Sequence, residues 1–189
     1  MQRGFLLFGY PGSGKGTQGK LLAPILNYAY LSMGQFLREY SKHDNALARK
    51  IKDTIDGGHM IDQETFLEIL DEVKVLISHS PGVIFDGFPR RMDQVPILEQ
   101  IIKENNNPDV KAILIDVPKE KLLERITQRG KEGRADDSPE VIETRFKQYG
   151  EKSAPINDYF AQKGLLITIN GDQPVEAVHQ EILNKLGLK

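Results

Sequence analysis

The segment LLFGYPGSGKGTQ, Leu6–Gln18, joins an apolar run to a glycine-rich stretch with one lysine. A short apolar run, Phe5–Phe8, leads into glycines at positions 9, 12, 14 and 16, which surround Lys15. A phosphate-binding loop, or P-loop, typically has two glycines separated by four residues and followed by a lysine, between a strand and a helix. Gly9, Gly14 and Lys15 have this spacing. Glycines leave backbone N–H groups free to turn toward phosphate oxygens, and the lysine and the following helix N-terminus add positive charge. The segment therefore predicts a site for nucleotide phosphates.

A carboxylate that could hold a metal ion is expected beside this loop. The usual P-loop has Ser or Thr directly after the lysine as a Mg²⁺ ligand, whereas this chain has Gly16 followed by Thr17. Asp86, in GVIFDGFPR, directly follows an apolar strand pattern. We predict that its carboxylate lies near the P-loop and holds Mg²⁺, directly or through water. A helix cap or an ion pair with Lys15 is the alternative role.

The composition is that of one ordinary globular domain, with 189 residues of which 39% are hydrophobic and 28% are charged. The net charge of −2 argues against general nucleic-acid binding, and the lack of cysteine excludes disulfides and thiol ligands. The apolar N-terminal run is too short for a signal peptide, and no apolar segment has the length of a membrane span. We expect a cytoplasmic monomer that binds neither nucleic acid nor membranes.

Short apolar runs alternate with amphipathic stretches along the chain. The runs predict strands at Phe5–Phe8, Tyr28–Leu31, Val83–Phe85, Ala112–Ile115 and Leu165–Ile169. Continuous apolar strands that alternate with helices predict an α/β fold whose parallel sheet is buried on both faces. Right-handed crossovers place the C-terminal ends of the strands at one edge, where ligands of such sheets bind.

The least periodic segment is RGKEGRADDSPE, Arg129–Glu140. Its glycines at 130 and 133 predict an exposed, mobile loop. Ser138 followed by Pro139 predicts an N-cap and the first residue of the next helix.

Several arginines lie near predicted strand ends or near this loop: Arg38, Arg90, Arg125, Arg129, Arg134 and Arg145. As a set they suit the negative charge of a phosphoryl-transfer transition state, which needs positioning and charge stabilisation more than covalent chemistry. The sequence offers no obvious general base. A phosphate acceptor needs none, because its second pKa is about 6. The pattern therefore favours a phosphate acceptor over a hydroxyl acceptor.

Four motifs together resemble the adenylate kinases, within the nucleoside monophosphate kinases: GYPGSGKGTQ, DGFPRRMDQ, ERITQRG and GRADDSPEVIETRFKQY. They follow the order of that family along most of the chain. The resemblance implies a P-loop NTPase-type three-layer fold with a five-stranded parallel sheet, a helical acceptor-binding insertion at about residues 32–61 and a short lid at about residues 130–138. It also implies transfer of a phosphoryl group from ATP to AMP, giving two ADP, with Mg²⁺. The short lid without cysteine resembles the zinc-free form.

The resemblance also implies roles for individual residues. The residues expected to bind ATP are Gly12, Ser13, Gly14, Lys15, Gly16 and Thr17 at its phosphates, with Arg125 and Gln173 at its adenine. The residues expected to bind the acceptor are Arg38 and Arg90 at its phosphate, Gln94 at its base, and His59, Met60, Ile61, Gly87, Phe88 and Pro89 as lining. Arg129, Arg134 and Arg145 are expected to surround the transferred group.

One stretch departs from the family pattern. Where adenylate kinases typically read LSTGD-x-LR, this chain reads LSMGQFLR, Leu31–Arg38. Met33 replaces a threonine expected near the acceptor base with a polarizable apolar side chain. Gln35 replaces an aspartate of the magnesium-water network. Its side chain either hydrogen-bonds a metal-bound water or forms a capping box with Ser32.

Two alternatives to an adenylate kinase follow from these residues. Met33 permits a kinase for UMP, CMP or dAMP, whereas Gln94 disfavours it, because the pyrimidine kinases carry asparagine there. A nucleotide-binding regulatory module with little transfer activity is the other alternative. It is disfavoured because all the arginines expected of the family are present.

Overall fold

The computed structural model describes residues 4–104, 110–131 and 138–188. Its centre is a sheet of five parallel strands in the order β2-β3-β1-β4-β5. The strands are β1 Gly4–Phe8, β2 Ala29–Ser32, β3 Val83–Asp86, β4 Val110–Asp116 and β5 Leu166–Asn170. All five predicted strands are confirmed, with differences of one or two residues at their ends.

The helices connect these strands and cover both faces of the sheet. They are α1 Lys15–Leu26, α2 Met33–Tyr40, α3 Ala46–Asp56, α4 Gln63–Glu68, α5 Leu70–Ile77, α6 Val95–Glu104, α7 Lys119–Lys131, α8 Pro139–Gln148, α9 Ala154–Gln162 and α10 Val175–Leu186. A 3₁₀ turn, Met92–Gln94, precedes α6, and a π turn, Tyr149–Ser153, joins α8 to α9. None of the described helices is both long and apolar enough to cross a membrane.

The central strand β1 explains why the sheet is buried on both sides. Its alternate residues Leu6 and Phe8 pack into one hydrophobic cluster, whereas Phe5 and Leu7 pack into a second cluster on the opposite face. This alternation follows from the two-residue period of a strand, and two apolar faces require helices on each. The parallel sheet buried on both faces, predicted from the continuous apolar runs, is therefore confirmed, as is the three-layer fold that the resemblance implies.

The register of the sheet brings three chain segments to one edge. Leu7 is aligned with Asp86 on β3, and Ser32 on β2 is aligned with the same aspartate. The P-loop leaves β1 directly after Phe8 and enters α1 at Lys15. The predicted convergence of the P-loop and Asp86 is thus a direct result of parallel pairing.

Two helix starts have the predicted caps. Ser138 caps α8 by accepting a hydrogen bond from the backbone N–H of Val141, and Pro139 is the first residue of that helix. Ser32 caps α2 by accepting from the backbone N–H of Gln35, with 3.5 Å between nitrogen and oxygen. The N-cap at Ser32 supports the helix-start interpretation of this stretch, while contact of Gln35 with a metal-bound water stays a prediction.

The insertion and the lid also stay predictions. The stretch at about residues 32–61 contains α2 and α3. In the stretch at about residues 130–138, α7 continues to Lys131, and residues 132–137 lie outside the described part of the chain.

Gly19 on α1 is expected to accept no side chain, because the helix lies very close to its neighbours there. A methyl group at this position would lie 2.3 Å from Cε2 of Tyr30 and 2.9 Å from Cδ1 of Leu7. Gly19→Ala should therefore lower the free energy of unfolding by about 1–3 kcal/mol, as overpacking does. Urea unfolding measures this free energy. Gly150→Ala is the control, because a methyl group at Gly150 would make an ordinary contact at 3.4 Å with the Tyr10 hydroxyl. Equal stability of the two variants would contradict this account.

Candidate nucleotide-binding site

A cavity of about 650 Å³ opens at the C-terminal edge of the sheet. Its lining includes every predicted site residue whose side chain the structure describes. At one end are the P-loop residues Gly12, Ser13, Gly14, Lys15, Gly16 and Thr17, with Arg125 and Gln173, and Asp86 lies beside this loop. Toward the other end are Met33, Arg38, His59, Met60, Ile61, Gly87, Phe88, Pro89, Arg90 and Gln94, and Arg145 also lines the cavity.

Two predicted arginines are not tested by this geometry. Arg129 lies in α7, one turn after Arg125, and its side chain is not described. Arg134 lies outside the described residues. Their expected positions around a transferred phosphoryl group therefore stay predictions.

The P-loop holds its lysine inward. The Lys15 ammonium donates to the carbonyl oxygens of Gly9 at 2.7 Å and Tyr10 at 2.9 Å, and lies 3.4 Å from the Ser13 hydroxyl. Gly9 has a φ of 141°, and a methyl group there would lie 2.6 Å from the Ile115 carbonyl oxygen. The loop therefore requires glycine at this position, where its backbone lies close to the end of β4.

Asp86 is the carboxylate beside the P-loop, and it is 9% exposed. Its Oδ2 accepts a hydrogen bond from the Tyr30 hydroxyl at 2.8 Å and lies 3.5 Å from the Ser32 hydroxyl. Burial, and next the nearby Asp86 charge, raise the pKa of Tyr30, so its hydroxyl stays protonated and remains a donor. The two hydroxyls orient the carboxylate without neutralising it.

The residues at this position fit Mg²⁺. A methyl group at Gly16, in the first turn of α1, would lie 3.7 Å from Oδ2 of Asp86, so the carboxylate adjoins the phosphate-binding segment. Mg²⁺ usually takes one or two protein carboxylates and completes its octahedron with water and substrate phosphates. Among the described residues, no group of three His, Cys, Asp or Glu could form an all-protein metal site.

Hydrogen bonds with other described residues hold Arg90 at the opposite end of the cavity. Its backbone N–H donates to Gln94 Oε1 at 2.8 Å, its Nε donates to the Gly87 carbonyl at 3.0 Å, and its own carbonyl accepts from the Ser153 hydroxyl at 3.1 Å. A methyl group at Gly87 would lie 2.6 Å from Nη2 of Arg90. The Nε hydrogen bond and the close approach to Gly87 therefore set the direction of the guanidinium.

Arg38 and Arg90 converge on α2. A methyl group placed on Gly34 would lie 3.5 Å from Nη1 of Arg38 and 3.9 Å from Nη2 of Arg90. Two guanidinium groups beside a residue without a side chain could hold a second anion, separate from the P-loop. Paired guanidinium forks are suited to a phosphate group.

Arg125 and Gln173 lie together beyond the P-loop, next to the end of β5. Arg125 Nη2 donates to the Gly171 carbonyl at 3.0 Å. The Gln173 side chain donates to the Asn170 carbonyl at 2.8 Å and to Glu181 at 2.7 Å, which orients this short loop. The guanidinium of Arg125 and the loop that contains Gln173 therefore line the P-loop end of the cavity.

Sequence reasoning missed the residues that the end of α8 and the following π turn contribute to the cavity. Gln148, Tyr149 and Ser153 also line the cavity, and the first and last of these are buried polar residues. Tyr149 packs on Tyr10 of the P-loop with ring centroids 4.1 Å apart. The three-residue spacing from Arg145 to Gln148 was the only available signal, because a π turn has no periodic pattern in the sequence.

Fold and site together define a P-loop protein that binds a nucleotide polyphosphate at one end of a cavity and a second anion at the other. A family model for adenylate kinase matches residues 7–165. The chain is 38% identical over 179 residues to an adenylate kinase of Bacteroides fragilis, covering 94% of each, and 34% identical over 186 residues to one of Prochlorococcus marinus, covering 98% of this chain and all of the relative. An adenylate kinase of Hyphomonas neptunium is 35% identical over 178 residues, again covering 94% of each chain. The chain belongs to the adenylate kinase family.

Proposed function

We propose that this chain catalyses the reaction of its family, the reversible transfer of the terminal phosphoryl group of ATP to AMP, which gives two ADP. The observation that carries the proposal is the pair of anion sites in one cavity, with the P-loop at one end and Arg38 beside Arg90 at the other. A donor polyphosphate and an acceptor monophosphate can therefore meet head to head.

Each group of lining residues has a role in this proposal. The segment from Gly12 to Thr17 holds the ATP phosphates, Arg125 stacks on the adenine of ATP, and the backbone of Gln173 contacts that base. Arg38 and Arg90 hold the phosphate of AMP, and Gln94 binds its base. Because Gln94 Oε1 already accepts from the backbone of Arg90, its amide N–H groups are the ones available to donate to an adenine nitrogen.

The chemistry requires little besides positioning and positive charge. An oxygen of the AMP phosphate attacks the γ-phosphorus of ATP, the bond to the bridging β-γ oxygen breaks, and ADP leaves with that electron pair. Lys15 and Arg145, with Arg129 and Arg134, stabilise the negative charge of the transferred group. Mg²⁺, which Asp86 would hold directly or through water, neutralises part of the phosphate charge when bound.

Comparison of acceptors tests the base preference. We expect MgATP with AMP to give product at least about tenfold faster, in kcat/KM, than MgATP with dAMP, CMP, UMP or GMP, which is about 1.4 kcal/mol of transition-state discrimination. Each monophosphate is assayed separately at equal concentration. If another monophosphate is preferred, the acceptor assignment is wrong and the phosphotransferase assignment remains.

We expect a substitution at Met33 to change the preference for AMP over other monophosphates. Its side chain is 4% exposed, belongs to the core cluster around Leu31 and Leu37, and lines the acceptor end of the cavity. Met33→Thr should raise the preference for AMP over the other monophosphates, because it adds a hydroxyl beside the base. Unchanged kcat/KM ratios across the acceptor series would place position 33 outside base recognition.

For assembly and location we propose a monomer in the cytoplasm. One chain supplies both anion sites, so the reaction needs no residue from a second copy. Sedimentation equilibrium should give the mass of one chain, 21.3 kDa. A stable dimer at assay concentrations would contradict this proposal.

A further inference from the structure

Gln148, the last residue of α8, is a polar residue that is only 8% exposed. Its Oε1 accepts a hydrogen bond from the backbone N–H of Met60 at 3.0 Å, and its Nε2 lies 2.7 Å from Nδ1 of His59. Because the Met60 backbone is a donor, the amide oxygen must face it, and the amide N–H₂ then faces the imidazole. Gln148 therefore donates to an unprotonated Nδ1 of His59.

A second contact lies two turns earlier on the same helix. Gly58 has a φ of 74°, and a methyl group there would lie 2.9 Å from the carbonyl oxygen of Val141. Val141 and Gln148 are seven residues apart, about two helical turns, and so share a face of α8. The segment from Gly58 to Met60 is thus seated along this helix at two points.

The same helix is connected to the other groups of the acceptor end. Arg145 precedes Gln148 by three residues and lines the cavity. The π turn that follows carries Ser153, whose hydroxyl donates to the Arg90 carbonyl at 3.1 Å. Two separate chain segments of the acceptor end, at Met60 and at Arg90, are therefore hydrogen-bonded through their backbones to buried side chains of one continuous helical unit.

We propose that Gln148 is a positioning residue for the acceptor nucleotide, which fixes the backbone at His59 and Met60 against the helix that carries Arg145. The inference rests on the proposed function, in that it takes the acceptor to be a nucleoside monophosphate. The hydrogen bonds described for Gln148 reach the acceptor segment and not the P-loop. Loss of its amide leaves the Met60 N–H without its acceptor and releases the segment, which weakens AMP binding and leaves ATP binding intact.

The test compares Gln148→Leu, Gln148→Glu and Glu143→Ala in the full chain. AMP dissociation constants are measured by calorimetry without ATP, and the Michaelis constants of AMP and ATP by ADP formation. Gln148→Leu should raise both AMP constants about tenfold, equivalent to about 1.4 kcal/mol, with the Michaelis constant of ATP changed less than about twofold. Gln148→Glu should restore most of the affinity, since a carboxylate oxygen still accepts from Met60. Glu143→Ala, at an exposed position on another face of α8, should match the wild type.

His59→Ala tests the same contact from its other side. Because His59 is exposed, we expect this variant to fold normally. It should weaken AMP binding less than Gln148→Leu does, and the double variant should be no weaker than Gln148→Leu alone, since both changes remove one contact. The inference would be overturned if Gln148→Leu changed the Michaelis constants of AMP and ATP equally or changed neither. It would also be overturned if the losses of AMP affinity were additive in the double variant. ADP formation by the wild type tests the proposed function by itself, whereas AMP calorimetry tests the role of Gln148 whether or not transfer occurs.

Discussion

Lys15→Met is expected to lower kcat by about a hundredfold to a thousandfold, as loss of a preorganised group that stabilises transition-state charge does. The Lys15 ammonium is held inside the P-loop by the Gly9 and Tyr10 carbonyls, so its charge is already in place for the β- and γ-phosphates. Methionine has similar length and no charge. Initial rates of ADP formation from MgATP and AMP measure the loss.

Lys119→Met is the matched control for this variant. Lys119 is exposed at the start of α7, so the same substitution there changes net charge equally and leaves the cavity unchanged. Circular dichroism and thermal unfolding of both variants establish that the fold is retained. A Lys15→Met enzyme that keeps more than about a tenth of the wild-type kcat has lost less than about 1.4 kcal/mol of barrier stabilisation, and the role assigned to Lys15 would be wrong.

Arg90→Lys is expected to lower kcat/KM for AMP by about a hundredfold while the Michaelis constant of ATP stays close to that of the wild type. The guanidinium donates through Nε to the Gly87 carbonyl, and its Nη2, like Nη1 of Arg38, lies close to Gly34 of α2. A lysine keeps the charge and loses the planar fork. It cannot contact Gly87 and the acceptor phosphate with the same geometry.

Arg91→Lys is the neighbouring control. Arg91 forms an ion pair with Asp93 and lines a separate surface depression next to α4. Conversion of Arg91 to lysine should leave both Michaelis constants unchanged. If Arg90→Lys raises the constants of ATP and AMP to the same extent, Arg90 does not belong to a distinct acceptor site, and the division of the cavity into two ends fails.

The sheet and the P-loop could be predicted from sequence because their determinants are local. Phe5–Phe8 and Val83–Phe85 are continuous apolar runs, and a parallel sheet buried on both faces is the structure that such runs favour. The glycines around Lys15 indicate backbone conformations that other residues rarely adopt, such as the φ of 141° at Gly9. Asp86 could be placed because a residue directly after a parallel strand lies at the ligand edge of the sheet.

The supports of the site could not be predicted, because they join residues far apart in the chain. Gln148 contacts His59, 89 positions away, and Ser153 contacts Arg90, 63 positions away. Tyr30 and Asp86 meet only because β2 and β3 are neighbours. No spacing rule relates such pairs, and the position of Ser153 depends on a π turn that shifts the helical register.

The departures at positions 33 and 35 show where local reasoning is incomplete. Met33 is both a core residue and part of the cavity lining, so sequence alone could not separate its packing role from a role in base choice. Gln35 is an exposed residue in the first turn of α2, with its backbone N–H bonded to Ser32. The cap explains why the helix begins there, and contact of Gln35 with a metal-bound water stays a prediction.

The stoichiometry of the reaction tests the central claim most directly, namely that a monophosphate at the Arg38 and Arg90 end receives the phosphoryl group from a polyphosphate in the P-loop. Wild-type enzyme is incubated with MgATP and AMP, and all nucleotides and free phosphate are quantified over time. The account predicts two ADP formed for each ATP and AMP consumed, with no phosphate released, and no ATP consumption when AMP is omitted. Consumption of ATP with release of phosphate at a rate independent of AMP would contradict it.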